Sequence, residues 1–294
     1  MRADLLRQLV RTRVETPGAI AEAAAARRRP TSLLGPTGRM LVIAADHPAR
    51  GTTAAGGDPL AMADRAELLD RLCLALARPE VNGVLGSPDV VEDLLLLGAL
   101  EGKVVIGSMN RGGLAGSAFE LDDRFTAYSA AALAAAGFQG GKMLTRIDPE
   151  DLLTARTLEA SAAAVTDLAA HGLLAMVEPF LCRRVDGRLR NDLSAAAVTR
   201  SIGIAAALGT TSAYTWLKLP LVDDVEEMER ALAASTLPAV LLGGEVPDDA
   251  EATYAAWERV LALPTVQGLT VGRSLLFPRD GDVDHALDVA VGML

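Results

Sequence analysis

The chain has 294 residues, of which half are hydrophobic and 22% charged, so it can bury a large core and is not a disordered chain. No stretch of eighteen or more residues is free of charge, which argues against a membrane-spanning helix. The 28 basic and 38 acidic residues leave a net charge of −10, with a pI near 4.9 and 3% aromatics, which argues against a nucleic-acid surface. Any anionic ligand is therefore expected to be caught by a local site.

In chain order, residues 1–39 read as one or two helices with Arg27 to Pro30 as the break between them, forming a plug beneath the following domain or a contact with another copy. From residue 40 onward, short strand signals alternate with Ala/Leu/Glu/Arg-rich segments of helical period. Met40 to Ala45 is the first strand and Pro59 to Ala77 the first helix, followed by Gly83 to Gly86 with Asp89 to Leu100, and Val104 to Ser108 with Asp123 to Ala136. Next come Phe138 to Leu144 with Pro149 to His171, Leu173 to Glu178 with Ser194 to Leu208, and Tyr214 to Leu219 with Val225 to Ala234. Ala239 to Leu242 with Asp248 to Leu263, and Leu269 to Val271 with Asp282 to Met293, complete the set. Ser87 before Pro88 and Asp148 before Pro149 are helix-start signals. Eight strands alternating with eight helices predict a (β/α)8 TIM barrel over residues 40–294, with 1–39 as an N-terminal helical extension. The competing open, doubly wound sheet would place G-x-G-x-x-G after its first strand, and AADHPARGTTAAG at residues 44–56 does not fit that pattern.

Cys73 and Cys182 lie more than a hundred residues apart, and the N-terminus carries Asp4 and no apolar leader, so a reducing, cytoplasmic protein is expected. His47, His171 and His285 show no metal-ligand spacing, so neither a metal nor another cofactor is expected. Cys182 has no evident base beside it and is not expected to act as a nucleophile.

In such a barrel the chemistry sits at the C-terminal ends of the strands. Asp46 ends strand one, Lys142 lies in strand four, Glu178 ends strand five and Lys218 lies in strand six. Only three of the 28 basic residues are lysine, and Lys218 is flanked by Trp216, Leu217, Leu219 and Pro220. A desolvated lysine is the residue type that attacks carbonyls, and a second cation such as Lys142 favours its neutral form. Asp46 and Glu178 are candidate proton carriers, and together with the two lysines they can pair in alternating signs. Taken singly, each also fits a purely structural ion pair or cap. Gly243 and Gly244 after strand seven, with Gly272 and Arg273 after strand eight, stand where barrels commonly bind phosphate, although the glycines also suit tight turns. Glu245 places a negative charge beside that site. His47 is a mouth residue, and Asn110 and Arg111 after strand three either contact ligand or shape a loop.

The segments A-A-D-H, G-G-K, V-E-P, W-L-K, L-G-G and V-G-R resemble the class I aldolase superfamily of Schiff-base barrels over about residues 38 to 294. That superfamily includes deoxyribose-phosphate, tagatose-bisphosphate and archaeal-type fructose-bisphosphate aldolases, and a nearer resemblance is to an actinobacterial aldolase-like branch associated with inositol catabolism. The resemblance implies that Lys218 forms the imine, Lys142 assists it, Glu178 and Asp46 carry protons, and Gly243, Gly244, Gly272 and Arg273 hold phosphate. It also implies a phosphorylated keto-sugar or keto-acid as partner, with 2-deoxy-5-keto-gluconate 6-phosphate as the inositol-pathway candidate. A cytoplasmic homo-oligomer binding neither nucleic acid nor membrane is expected. Two rival readings are a sugar-phosphate isomerase or epimerase without a covalent intermediate, and a non-catalytic sugar-phosphate-binding barrel or scaffold.

Overall fold

In the computed structural model, which describes residues 3–110, 113–222, 224–247 and 249–294, eight parallel strands close into a barrel. They are β1 (Met40–Ala44), β2 (Gly83–Gly86), β3 (Val104–Ser108), β4 (Gly140–Ile147), β5 (Leu174–Val185), β7 (Thr215–Leu219), β8 (Ala239–Leu242) and β9 (Val266–Val271). A ninth strand, β6 (Arg188–Asn191), pairs antiparallel with the outer end of β5. The ring runs β4-β3-β2-β1-β9-β8-β7-β5 and closes through β4 on β5. The surrounding helices are α3 (Arg65–Leu76), α4 (Pro88–Leu96), α5 (Ala130–Ala135), α6 (Leu153–Ala170), α7 (Ala195–Ala206), α8 (Val225–Leu232), α9 (Ala250–Leu261), α10 (Arg273–Leu276) and α11 (Val283–Gly292). No helix among the described residues is long and apolar enough to cross a membrane.

The two-residue period of a strand divides each run between two cores. Leu41 and Ile43 of β1 join the large shell between sheet and helices, while Met40, Val42 and Ala44 face the lumen with Val104, Ile106, Leu174, Met176 and Val240. The lumen is thus a packed apolar column, and among the described residues polar side chains join it at the upper strand ends.

Several boundaries differ from the sequence expectation. The first helix starts at Arg65 rather than Pro59, because the Asp64 side chain accepts from the Glu67 N–H and sets the cap there. α5 is confined to six residues after its Ser129 cap, and residues 113–129 run as a loop over the barrel mouth. Asp148 does not cap α6; its carboxylate accepts from Glu150 N in a turn, and Asp151 makes the equivalent bond to Leu153 N. The β5–β6 hairpin was not expected, although Asp186 (φ 50) and Gly187 (φ 74) form the Asp-Gly turn that favours one.

The extension also differs. α1 (Ala3–Glu15) and α2 (Ala19–Ala26) break at residues 16–18, where Pro17 and Gly18 interrupt the helix, while Arg27 to Pro30 closes α2. The helices lie beside the barrel: Arg13 pairs with Glu92 at 2.8 Å and Asp93 at 2.9 Å on α4. The plug is instead the extended stretch behind them, where Leu33 and Leu34 pack against the lumen floor. Arg27, buried under the barrel, donates to the carbonyls of Leu100, Lys103 and Gly137 and to Gln139. Asn82 fastens the plug by accepting from Leu41 N–H and donating to the Leu33 carbonyl, both at 2.7 Å. Asn82→Ala leaves two backbone groups without these partners, so a loss of about 1–3 kcal/mol is expected. It should appear in urea unfolding as a lower midpoint at unchanged slope.

Candidate active site

The lumen-facing period that carries the apolar column ends in polar residues. Asp46 lies two positions beyond Ala44, Ser108 two beyond Ile106, and Glu178 two beyond Met176, while Lys142 and Lys218 enter from β4 and β7. Ser108 is level with Lys142 across β3–β4, and Met176 is level with Trp216 across β5–β7, so the next step sets Glu178 beside Lys218.

These groups are buried and alternate in sign. Lys218 Nζ donates to Glu178 Oε1 at 2.7 Å, Glu178 Oε2 pairs with Lys142 Nζ, and Lys142 Nζ lies 3.4 Å from Asp46 Oδ2. Ser108 Oγ donates to that same Asp46 oxygen at 3.0 Å. Lys142 and Lys218 are 2% and 4% exposed, so neither ammonium has bulk water as its principal partner. Burial alone would raise the Glu178 pKa, but Lys142 and then Lys218 overcome it and hold the carboxyl far below the ordinary carboxylate range. A buried carboxylate bridging two ammonium groups is thus the electrostatic centre of the barrel.

A cavity of about 490 Å³ opens above these residues. Its β8–β9 side is lined by Gly243, Gly244, Gly272, Arg273 and His47, so those residues face one space with Lys218. Gly272 is required sterically: a Cβ there would lie 2.2 Å from the Ala44 carbonyl oxygen. One on Gly243 would lie 2.5 Å from a Val271 methyl and 2.6 Å from Ser274 Oγ. Arg273 donates to the Gly244 carbonyl at 3.1 Å and the Ala54 carbonyl at 3.4 Å, tying the β8, β9 and β1 loops together. Glu245 turns its carboxylate outward, 91% exposed and 3.9 Å from Arg273, so solvent screens much of its charge.

Four residues lining the cavity carry a buried polar atom with no hydrogen-bond partner among the described residues: His47 Nδ1, Thr270 Oγ1, Arg273 Nε and Trp257 Nε1. Leaving such groups unpaired costs about 1–3 kcal/mol each, a cost that a ligand able to pair with them removes. His47 is held well below its usual pKa, first by burial and then by the charges of Arg273 and Lys218, so its imidazole is neutral at pH 7.

The remaining sequence candidates fall elsewhere. Arg111 lies outside the described residues. Asn110 is a structural staple, donating to the Leu144 carbonyl at 2.5 Å and accepting from Leu144 N–H at 2.8 Å. Burial pushes the Cys182 thiol up to about 12, which keeps it protonated. Among the described residues, no three His, Cys, Asp or Glu side chains group as a metal site.

Sequence reasoning missed Ser108, Thr270, Trp257, Arg50 and Arg146. The first two carried a usable signal, being polar residues in phase with the lumen at the ends of apolar strands. Arg50 and Arg146 carried none in a chain with 25 arginines.

Residues 38–291 match the Cgl0159-like protein family. The crystal structure of Cgl0159 from Corynebacterium glutamicum (Brevibacterium flavum) is 49% identical, with a TM-score of 0.95 over 100% of this chain and 97% of that one. A Schiff-base-forming fructose-1,6-bisphosphate aldolase is 19% identical, with a TM-score of 0.68 over 94% of this chain and 100% of that one. An archaeal fructose 1,6-bisphosphate aldolase is also 19% identical, with a TM-score of 0.66 over 93% and 99%. Likeness at these two identities is one of fold. No functionally curated protein is significantly similar to the chain. By the match over most of its length, the chain belongs to the Cgl0159-like family, built on the barrel fold shared with Schiff-base-forming aldolases.

Proposed function

We propose that the protein is a class I aldolase that cleaves or forms a phosphorylated keto-sugar or keto-acid through an imine on Lys218. The observation that carries the reading is the buried Lys218–Glu178–Lys142–Asp46 alternation at the cavity floor, with unpaired polar groups gathered at one cavity wall. In this mechanism Lys218 gives a proton to Glu178, already 2.7 Å away, and its amine attacks the substrate ketone to form a carbinolamine. Loss of water, with a proton supplied by the carboxyl, leaves an iminium.

The bond between the carbons α and β to the former carbonyl then breaks. Its electron pair flows into the iminium to give an enamine, while the hydroxyl on the β carbon yields its proton to a carboxylate and becomes an aldehyde. Protonation at the α carbon and hydrolysis of the imine return the amine. Lys142 keeps Glu178 ionised between transfers and offers N–H donors to a substrate oxygen. Asp46, fixed by Ser108 and Lys142, serves as the second proton carrier. Gly243, Gly244, Gly272, Arg273 and neutral His47 hold the phosphate, and the reaction is expected to need no cofactor.

Incubation with ketose phosphates, including 2-deoxy-5-keto-gluconate 6-phosphate, tests the reading by NMR. An aldehyde and a shorter ketone appearing together support a lyase. An isomer of unchanged mass supports proton transfer alone. Thermal stabilisation by every ester without any product supports a binding protein.

A further inference from the structure

The β8–β9 wall accounts for one end of the cavity, and the opposite wall carries a cation that the proposed reaction does not use. β4 stands four strands from β9 in either direction round the ring, so the loops after β3 and β4 face the Gly243–Arg273 wall across the mouth. Arg50 lies on that side, at the end of a 3₁₀ turn, Pro48–Arg50, closed by Gly51 in the left-handed conformation (φ 73). Pro48 and Gly51 make this turn a defined support rather than a slack loop. Arg50 Nε donates to the Gly113 carbonyl at 2.9 Å, and Ala115 N–H donates to the Arg50 carbonyl at 3.0 Å, so the β3–α5 loop clasps the residue from both sides.

The charge balance around Arg50 is uneven. Arg146 lies close by, and it takes both Asp123 oxygens, at 2.8 and 2.7 Å. It also reaches Glu120 Oε1 at 3.5 Å, while Glu120 Oε2 accepts from Gly116 N–H at 3.0 Å. Asp123 and Glu120 are thereby committed elsewhere, and the third carboxylate acting on Arg50, Glu178, is held by Lys142 and Lys218. Arg50 is half-buried and lines the cavity, and its two terminal nitrogens have no hydrogen-bond acceptor among the described residues. Burial and then the neighbouring Arg146 charge lower its pKa, the condition of a cation that gains from an anion placed beside it. Arg190 on β6 adds a second, exposed guanidinium to the rim of the same cavity.

We propose that Arg50 forms a second oxyanion site, across the mouth from the Gly243–Arg273 wall, that receives a phosphate or carboxylate at the other end of the substrate. The inference rests on the aldolase reading for what lies between the two ends, but the site itself is testable without turnover. The planar guanidinium fork, with two free nitrogens on one edge, suits bidentate capture of either oxyanion. Under the aldolase reading, this end holds the aldehyde fragment and selects anionic aldehydes over neutral ones.

Isothermal titration of the full chain with inorganic phosphate, in parallel with Arg50→Gln, Arg50→Lys and Arg273→Gln, tests the proposal. The native chain is expected to bind two phosphates, and Arg50→Gln and Arg273→Gln one each, with affinity at the altered site falling at least about tenfold. Arg50→Lys, which keeps the charge, is expected to retain the second site at reduced affinity. A native chain with one site that Arg273→Gln removes and Arg50→Gln leaves intact overturns the proposal, provided melting curves show both variants folded. A parallel titration with acetate identifies the group, since tighter phosphate points to a phosphoryl end and tighter acetate to a carboxylate end. Failure of Lys218 to form an adduct in a protein that still takes two phosphates removes the aldolase reading and leaves the Arg50 site standing.

Discussion

Lys218→Met is expected to lower carbon–carbon cleavage by at least about 10⁴-fold, because it deletes the only atom in the scheme that becomes covalently bound to substrate. The same variant should fold. Removing Lys218 leaves Glu178 paired with Lys142, and the thioether suits the lumen beside Trp216 and Leu217, so the stability change should stay within about 2 kcal/mol. Steady-state kinetics with any substrate from the ketose-phosphate screen, beside a denaturant melt, separates the two effects. Activity near the native level in Lys218→Met would remove the imine mechanism.

The largest expected effect on stability lies at Glu178. Glu178→Leu leaves two buried ammonium groups facing each other with Asp46 as the carboxylate described beside them, and a loss of about 3–5 kcal/mol is expected. Glu178→Gln should also be costly at pH 7. A carboxylate offers an acceptor oxygen to each lysine, whereas an amide offers one oxygen and turns an NH2 toward the other ammonium.

The pH dependence has a defined sign. The folded-state value of Glu178 is held below its ordinary 4.5, so between those two values the folded protein binds fewer protons than the unfolded one. Its stabilisation is fully present above about 4.5 and is lost as pH falls through the folded value. The stability gap between native protein and Glu178→Gln should therefore be constant from pH 7 down to about 5 and narrow below it, as read by urea midpoints in a pH series.

The barrel was legible because its strands are short, apolar and evenly spaced, and because each β/α repeat ends in Gly, Pro or a capping side chain. Lys142, Glu178 and Lys218 stood out for a related reason: a charge inside an apolar strand signal has few places to go except the lumen mouth. What lay outside those signals was read less well. Two proline-bearing segments compete as the break between the N-terminal helices: Thr16-Pro17-Gly18 separates them, and Arg27 to Pro30 ends the second. The β5–β6 hairpin was hidden because Arg183, Arg184 and Arg188 give an exposed ribbon no apolar alternation, leaving Asp186-Gly187 as its one marker. Arg50 owes its position to loop closure, which brings it against Gly113 and so joins residues far apart in the chain. Glu245 shows the converse: adjacency in sequence set a negative charge beside the glycine loop, and one side-chain direction turned it to solvent.

The central claim is that Lys218 forms an imine with a ketone, and borohydride trapping tests it most directly. The full chain, reduced in the presence of dihydroxyacetone phosphate and digested for mass spectrometry, has only three lysines on which an adduct can form: Lys103, Lys142 and Lys218. The account predicts a reduced adduct on the peptide carrying Lys218 that is absent from Lys218→Met. Folded protein with no adduct from this or any other ketone offered, or with the adduct on Lys142 instead, would contradict it.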